Sequence, residues 1–130
     1  SAMRYPVMIE IGNARTAWGV VVPDLPGCHS AGDTLDEAME AVEEAAAAWI
    51  DASLDAGHEI PEPSSVEDAM RKGDFAGWMV GFVNVDPALL DNSVERVNIT
   101  LPRRVLLRLD AKARAVGETR SSYIARMAVG

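Results

Sequence analysis

Little in this chain of 130 residues can crosslink, hold a metal or enter a bilayer. The lone cysteine, Cys28, excludes an internal disulfide framework and fits a reducing compartment. No apolar run approaches the roughly 20 residues that span a membrane, and no charged-then-apolar leader opens the sequence. Ser1-Ala2 before Met3 reads as a tag remnant. These absences predict a soluble, cytoplasmic protein with no membrane partner. His29 and His58 are the two histidines, too far apart for metal-ligand spacing. Aromatic residues are scarce, and Trp18, Trp49 and Trp78 fit core or rim packing better than a site.

Positive charge is the scarcest feature of the first part. Up to Asn92 four basic residues (Arg4, Arg15, Arg71, Lys72) stand against seventeen acidic ones, a net of −13. From Ser93 onward eight basic residues stand against three acidic, a net of +5. One part is built to meet a basic partner and the other a polyanion. Apolar content of 48% with interspersed charge is that of a folded chain.

The patterning predicts an α+β fold. Tyr5, Val7, Ile9 and Ile11 alternate with Pro6, Met8 and Glu10, the period of a half-buried strand. Gly12-Asn13 opens a turn and Trp18–Val22 supplies a second strand, so the two form a hairpin. Pro23-Asp24-Leu25-Pro26-Gly27-Cys28 breaks regular structure before a short strand at His29–Ala31. Thr34 and Glu37 make a capping box. Behind it Leu35, Ala38, Met39, Val42, Ala45, Ala46, Trp49 and Ile50 recur at helical spacing, toward a stop at Gly57. Asp36, Glu37, Glu40, Glu43, Glu44 and Asp51 take the outward face. A break at Ile60-Pro61-Glu62-Pro63 precedes a short helix from Ser64-Ser65 to Met70, and Trp78–Val85 reads as a fourth strand.

Residues 3–86 thus form one domain, 87–93 a linker and 94–130 a second unit. In that unit Val97, Ile99 and Leu101 face one side of a predicted strand, and Arg96, Asn98 and Thr100 the other. Pro102 opens a helix carrying Val105, Leu106, Leu109, Ala113 and Val116, and Gly117 closes it. Thr119 or Ser121 caps a second helix whose Tyr123, Ile124 and Met127 turn inward. One strand and two short helices bury too little surface alone. The strand needs a partner, and the same strand of a second copy is the obvious one.

Asp24, Asp33, Asp36 and Glu37 raise the alternative of a metal-dependent nuclease fused to a DNA-binding tail. Local roles in turns and caps account for them more simply, so no catalytic or metal-binding residue is assigned and no cofactor is expected. Cys28 and His29 are adjacent in an extended segment and point apart, which argues against a nucleophile–base pair. His58, just past the helix-ending Gly57, suits the helix dipole. A transcription factor sensing a small ligand is a third possibility, but the first domain contains no ligand motif.

The order RVNITLP, helix, Gly117 and TRSSYI resembles the ribbon-helix-helix DNA-binding module over residues 94–130. That resemblance implies antiparallel strand pairing between two chains and a ribbon in the major groove. Arg96, Asn98 and Thr100 would read base edges. Arg120, Ser121 and Ser122 would meet phosphate, and Val97, Ile99, Leu101, Leu106, Leu109 and Ile124 would form the dimer core. Upstream, the Tyr5 strand, Trp18-Gly19-Val20, Pro23–Cys28, Ala31–Thr34, Asp36-Glu37-Ala38 and Ile60–Pro63 resemble the HicB-type antitoxins of toxin–antitoxin systems. This resemblance implies a partial RNase H-like domain with a three-to-four-stranded antiparallel sheet on helices. It also implies a HicA-type partner, a small basic mRNA-cleaving toxin, and repression of the operon through operator DNA by a homodimer or dimer of dimers. The residues that would touch the toxin do not follow from sequence.

Overall fold

A computed structural model describes residues 3–130; Ser1-Ala2, read from the sequence as a tag remnant, lies outside the described residues. The chain divides into two compact units, one ending at Asn92 and one beginning at Ser93.

The first unit is built on a four-stranded antiparallel sheet of order β3-β2-β1-β4. Its strands are β1 (Met3–Glu10), β2 (Trp18–Val21), β3 (His29–Gly32) and β4 (Met79–Val85). β1 and β2 form the predicted hairpin. The Asn13 side chain accepts from the Arg15 and Thr16 amides, at 2.8 and 3.1 Å, and closes the turn. Gly12 is required there, because a Cβ would lie 2.6 Å from the Trp18 ring. Ile11, expected in the core, lies beyond the end of β1 and is 54% exposed.

Helix α1 (Leu35–Asp55) starts where its capping box predicts. Thr34 Oγ1 accepts from the Glu37 amide at 3.1 Å, while Glu37 Oε2 accepts from the Asp33 amide at 3.0 Å. The helix buries Ala38, Val42, Ala46 and Ile50 against Tyr5, Val7, Ile9, Val20 and Val83 of the sheet. Two alanines in that stripe let the helix lie close, and Gly32 matches them: a Cβ there would meet Ala38 N at 2.6 Å. At the far end the Gly57 and His58 amides donate to Leu54 and Ser53 carbonyls at 3.0 and 2.8 Å. With Gly57 at φ 76°, this is a Schellman stop.

β1 is buried on both faces, not one. Pro6 and Met8, on the side away from α1, are as buried as Tyr5 and Val7. Helix α2 (Val66–Met70) contacts β1, and its Ala69 is fully buried. Pro6 is tolerated in a central strand because β2 pairs only with Met8–Glu10, leaving β1 around Pro6 bonded on the β4 side alone. Residues 87–90, expected in the linker, form a 3-10 turn capped by Asp86, and Leu90 packs against the core of the first unit.

The second unit contains α3 (Arg103–Ala115) and α4 (Arg120–Val129). Gly117, at φ 71°, ends α3, and Thr119 rather than Ser121 caps α4 by accepting from the Ser122 amide at 3.1 Å. The strand expected at Arg96–Leu101 is not formed: residues 91–102 have no regular secondary structure. A strand with nothing beside it leaves every ladder donor and acceptor to water, so the alternating pattern has no structure to impose in a single chain.

Candidate functional site

The basic unit carries its candidate site on open surface. Arg96, Asn98 and Thr100 are all exposed, and the extended segment does not fix them on one face. Their apolar alternates are exposed as well, Val97 by 74% and Ile99 by 63%, with Leu101 half-buried. Leu106 and Leu109 are half-buried and Ile124 is exposed, so the expected dimer core is not closed within one chain. Tyr123 is half-buried, but Met127, expected inward, is exposed for the same reason: among the described residues nothing covers that stripe. Ala113 is the one buried side chain described in this unit. A module with such a core depends on a further surface to fold stably.

The expected phosphate contacts divide. Arg120 is held by Asp110 through two parallel bonds of 2.9 Å, from Nε to Oδ1 and from Nη2 to Oδ2. The Asp110 bond pushes the guanidinium pKa up, and the Arg120 bond in turn draws the Asp110 carboxyl down. This clasp ties the start of α4 to α3. A second one, Arg126 to Glu118 at 2.7 Å with Arg126 over the Tyr123 ring, holds the α4 body. Ser121 and Ser122 remain exposed at the start of α4. Arg103 and Arg104 lie exposed in the first turn of α3, which has no acidic residue and no side-chain cap. Sequence reasoning passed over that pair, although two arginines directly after a helix-opening proline were visible.

In the acidic unit two of the four carboxylates that suggested a nuclease, Asp24 and Glu37, are engaged, while Asp33 and Asp36 are exposed. Asp24 is 2% exposed and accepts from Lys72 Nζ at 2.6 Å, from Ser64 Oγ at 2.6 Å and from the Ser64 amide at 2.8 Å. Burial pushes its carboxyl upward, but the Lys72 and Ser64 bonds outweigh burial and hold it below the ordinary value. Glu37 serves the α1 cap. No three His, Cys, Asp or Glu side chains converge in a metal-binding group among the described residues. Cys28 is buried, with its thiol pushed up by burial, and His29 beside it is exposed. Nothing in the sequence pointed to Lys72 as the partner of Asp24.

Next to this network, the Tyr5 hydroxyl donates to the Pro61 carbonyl at 2.5 Å. Burial first, then Glu62 and Asp24, push its pKa to about 12. Trp49 donates to the Pro26 carbonyl at 2.8 Å, joining α1 to the loop between β2 and β3. On α1 the carboxylates of Asp36, Glu37, Glu40, Glu43 and Glu44 lie on exposed residues, while Asp51 is half-buried. No helix described is long and apolar enough to cross a membrane.

Comparison with known proteins agrees with this architecture. Residues 5–128 match the model of the HicB-like antitoxin of bacterial toxin–antitoxin systems. An uncharacterised 14.9 kDa protein from the rep-hol intergenic region of Haemophilus phage HP1 is 36% identical over 128 residues, covering 97% of this chain and 95% of that protein. The crystal structure of the Burkholderia pseudomallei antitoxin HicB superposes with a TM-score of 0.60 at 35% identity, over 98% of this chain and 96% of that one. The antitoxin chain family is also represented by a HicA3–HicB3 toxin–antitoxin complex, with a TM-score of 0.52 at 30% identity over 65% of this chain and 100% of the matched one. The chain belongs to the HicB-like antitoxin family.

Proposed function

We propose that this chain neutralises a small, basic HicA-type toxin with its acidic unit and represses its own operon with its basic unit, without catalysis. The observation that carries this is a coincidence of two boundaries: net charge changes from −13 to +5 after Asn92, where the chain also divides into two compact units. A nuclease that grips RNA is basic on its working face, so an acidic fold can cover that face. The first unit is read as a partial RNase H-like scaffold, with Asp24 held by Lys72 and Ser64 and Glu37 used in the α1 cap.

In the basic unit, two chains pair Arg96–Leu101 antiparallel and cover Val97, Ile99 and Leu101. Burying each such side chain contributes about 1.5–3 kcal/mol, enough in sum to complete a core that one chain leaves open. Pairing turns Arg96, Asn98 and Thr100 to one face of the ribbon, where Arg suits guanine, Asn suits adenine and Thr a base edge or methyl. With Arg120 clasped by Asp110, phosphate contact falls to the exposed start of α4 at Ser121 and Ser122, and to Arg103 and Arg104. Gel-shift titration against the DNA upstream of the chain's own coding sequence tests this. Asn98→Ala should cost ~1–3 kcal/mol and relax preference at one base position. Wild-type affinity and unchanged sequence preference in that variant would remove the base-reading role.

A further inference from the structure

The antitoxin reading leaves open which part of the acidic unit meets the toxin, and three surfaces compete. The outward face of α1 carries Glu40, Glu43 and Glu44 but no large apolar side chain between them, so it offers charge without contact area. The edge strand β4 exposes Met79, Val80 and Phe82, yet the Arg4 guanidinium sits 4.3 Å above the Phe82 ring and gives that edge the wrong sign for a basic partner.

The third surface combines both requirements. At the C-terminal end of α1 an open groove of about 780 Å³ is floored by Leu54, Ile60 and Leu90 and rimmed by His58, Glu59 and Glu62. The three floor residues rest against the core and stay half-exposed. Glu59 and Glu62 are exposed and form no ion pair among the described residues. The groove also lies at the negative end of a 21-residue helix whose last turn has no basic residue and ends on Asp55. Its wall is rigid, since Tyr5 bonds the Pro61 carbonyl and the Schellman stop fixes His58.

We propose that this groove seats a basic, partly apolar segment of the toxin, an arginine or lysine between Glu59 and Glu62 with a neighbouring apolar side chain on Leu54, Ile60 and Leu90. The assignment rests on the antitoxin reading. Charge complementarity around a desolvated apolar floor gives both the sign and the contact area that the other two surfaces lack.

The test is calorimetric titration of the full-length chain with the small basic protein of the neighbouring reading frame. Three forms are compared: wild type, Glu59→Lys with Glu62→Lys, and Glu40→Lys with Glu43→Lys and Glu44→Lys. All the substituted sites are exposed, and thermal unfolding checks that each form folds. The groove form should bind about tenfold more weakly or worse, and the helix form within about twofold of wild type. Wild-type affinity in the groove form, or a larger loss in the helix form, overturns the groove and leaves the antitoxin reading standing. No binding by the wild type overturns both.

Discussion

Asp24 is a buried carboxylate whose cationic partner, Lys72, arrives from 48 residues away. With Ser64 it fixes the segment that leads into α2, a role in folding. Lys72→Met would leave the charge buried with only Ser64 to serve it. Lys72 is itself 46% exposed, so the expected destabilisation, about 1–3 kcal/mol by denaturant melting, falls short of the loss for a fully buried pair. Because the folded-state pKa of Asp24 is lowered, its contribution is present above the unfolded carboxyl value near 4 and is lost as pH falls through the folded value. Acid titration of stability should therefore be shallower in Asp24→Asn than in the wild type. Tyr5 has the opposite sign: its pKa is raised to about 12, so its contribution holds below about 10 and disappears as pH rises toward 12. Tyr5→Phe should flatten that alkaline limb and cost about 1 kcal/mol at neutral pH, measured by thermal melts across pH. Asp24 was legible in the sequence only as a turn residue, because neither Ser64 nor Lys72 is local to it.

At the scale of elements, local signals and long-range ones part company. Helix α1 was legible in full, since Thr34, Glu37, the 3.6-residue stripe and Gly57 each act within a turn or two. The hairpin was legible for the same reason. Covering of the second face of β1, where Pro6 and Met8 are buried, was not, because helix α2, which contacts β1, lies more than fifty residues away. The Arg96–Leu101 segment is the reverse case: its alternation is plain, yet one chain cannot express it as a strand. Val97→Asp should accordingly hold the chain monomeric in sedimentation experiments and abolish operator binding; a dimer that still binds DNA would refute strand pairing. Arg120 and Arg103 separate by salt dependence. Arg103→Ala should lower the slope of log affinity against log salt by about one, as expected for a lost phosphate contact. Arg120→Ala should leave the slope unchanged and lower the melting temperature, since its guanidinium is committed to Asp110.

Across the whole molecule, one chain presents opposite charge on its two units and leaves the core of the basic one open. Under the proposed function, dimerisation would complete the basic unit and place two acidic units on one assembly, so repression and toxin capture would share a single oligomer. The most direct check on that account is RNA cleavage by the basic protein of the neighbouring reading frame, followed while the full-length chain is added. Cleavage should fall in proportion to the chain added and cease once the toxin is saturated. Undiminished cleavage at saturating chain would contradict the central claim.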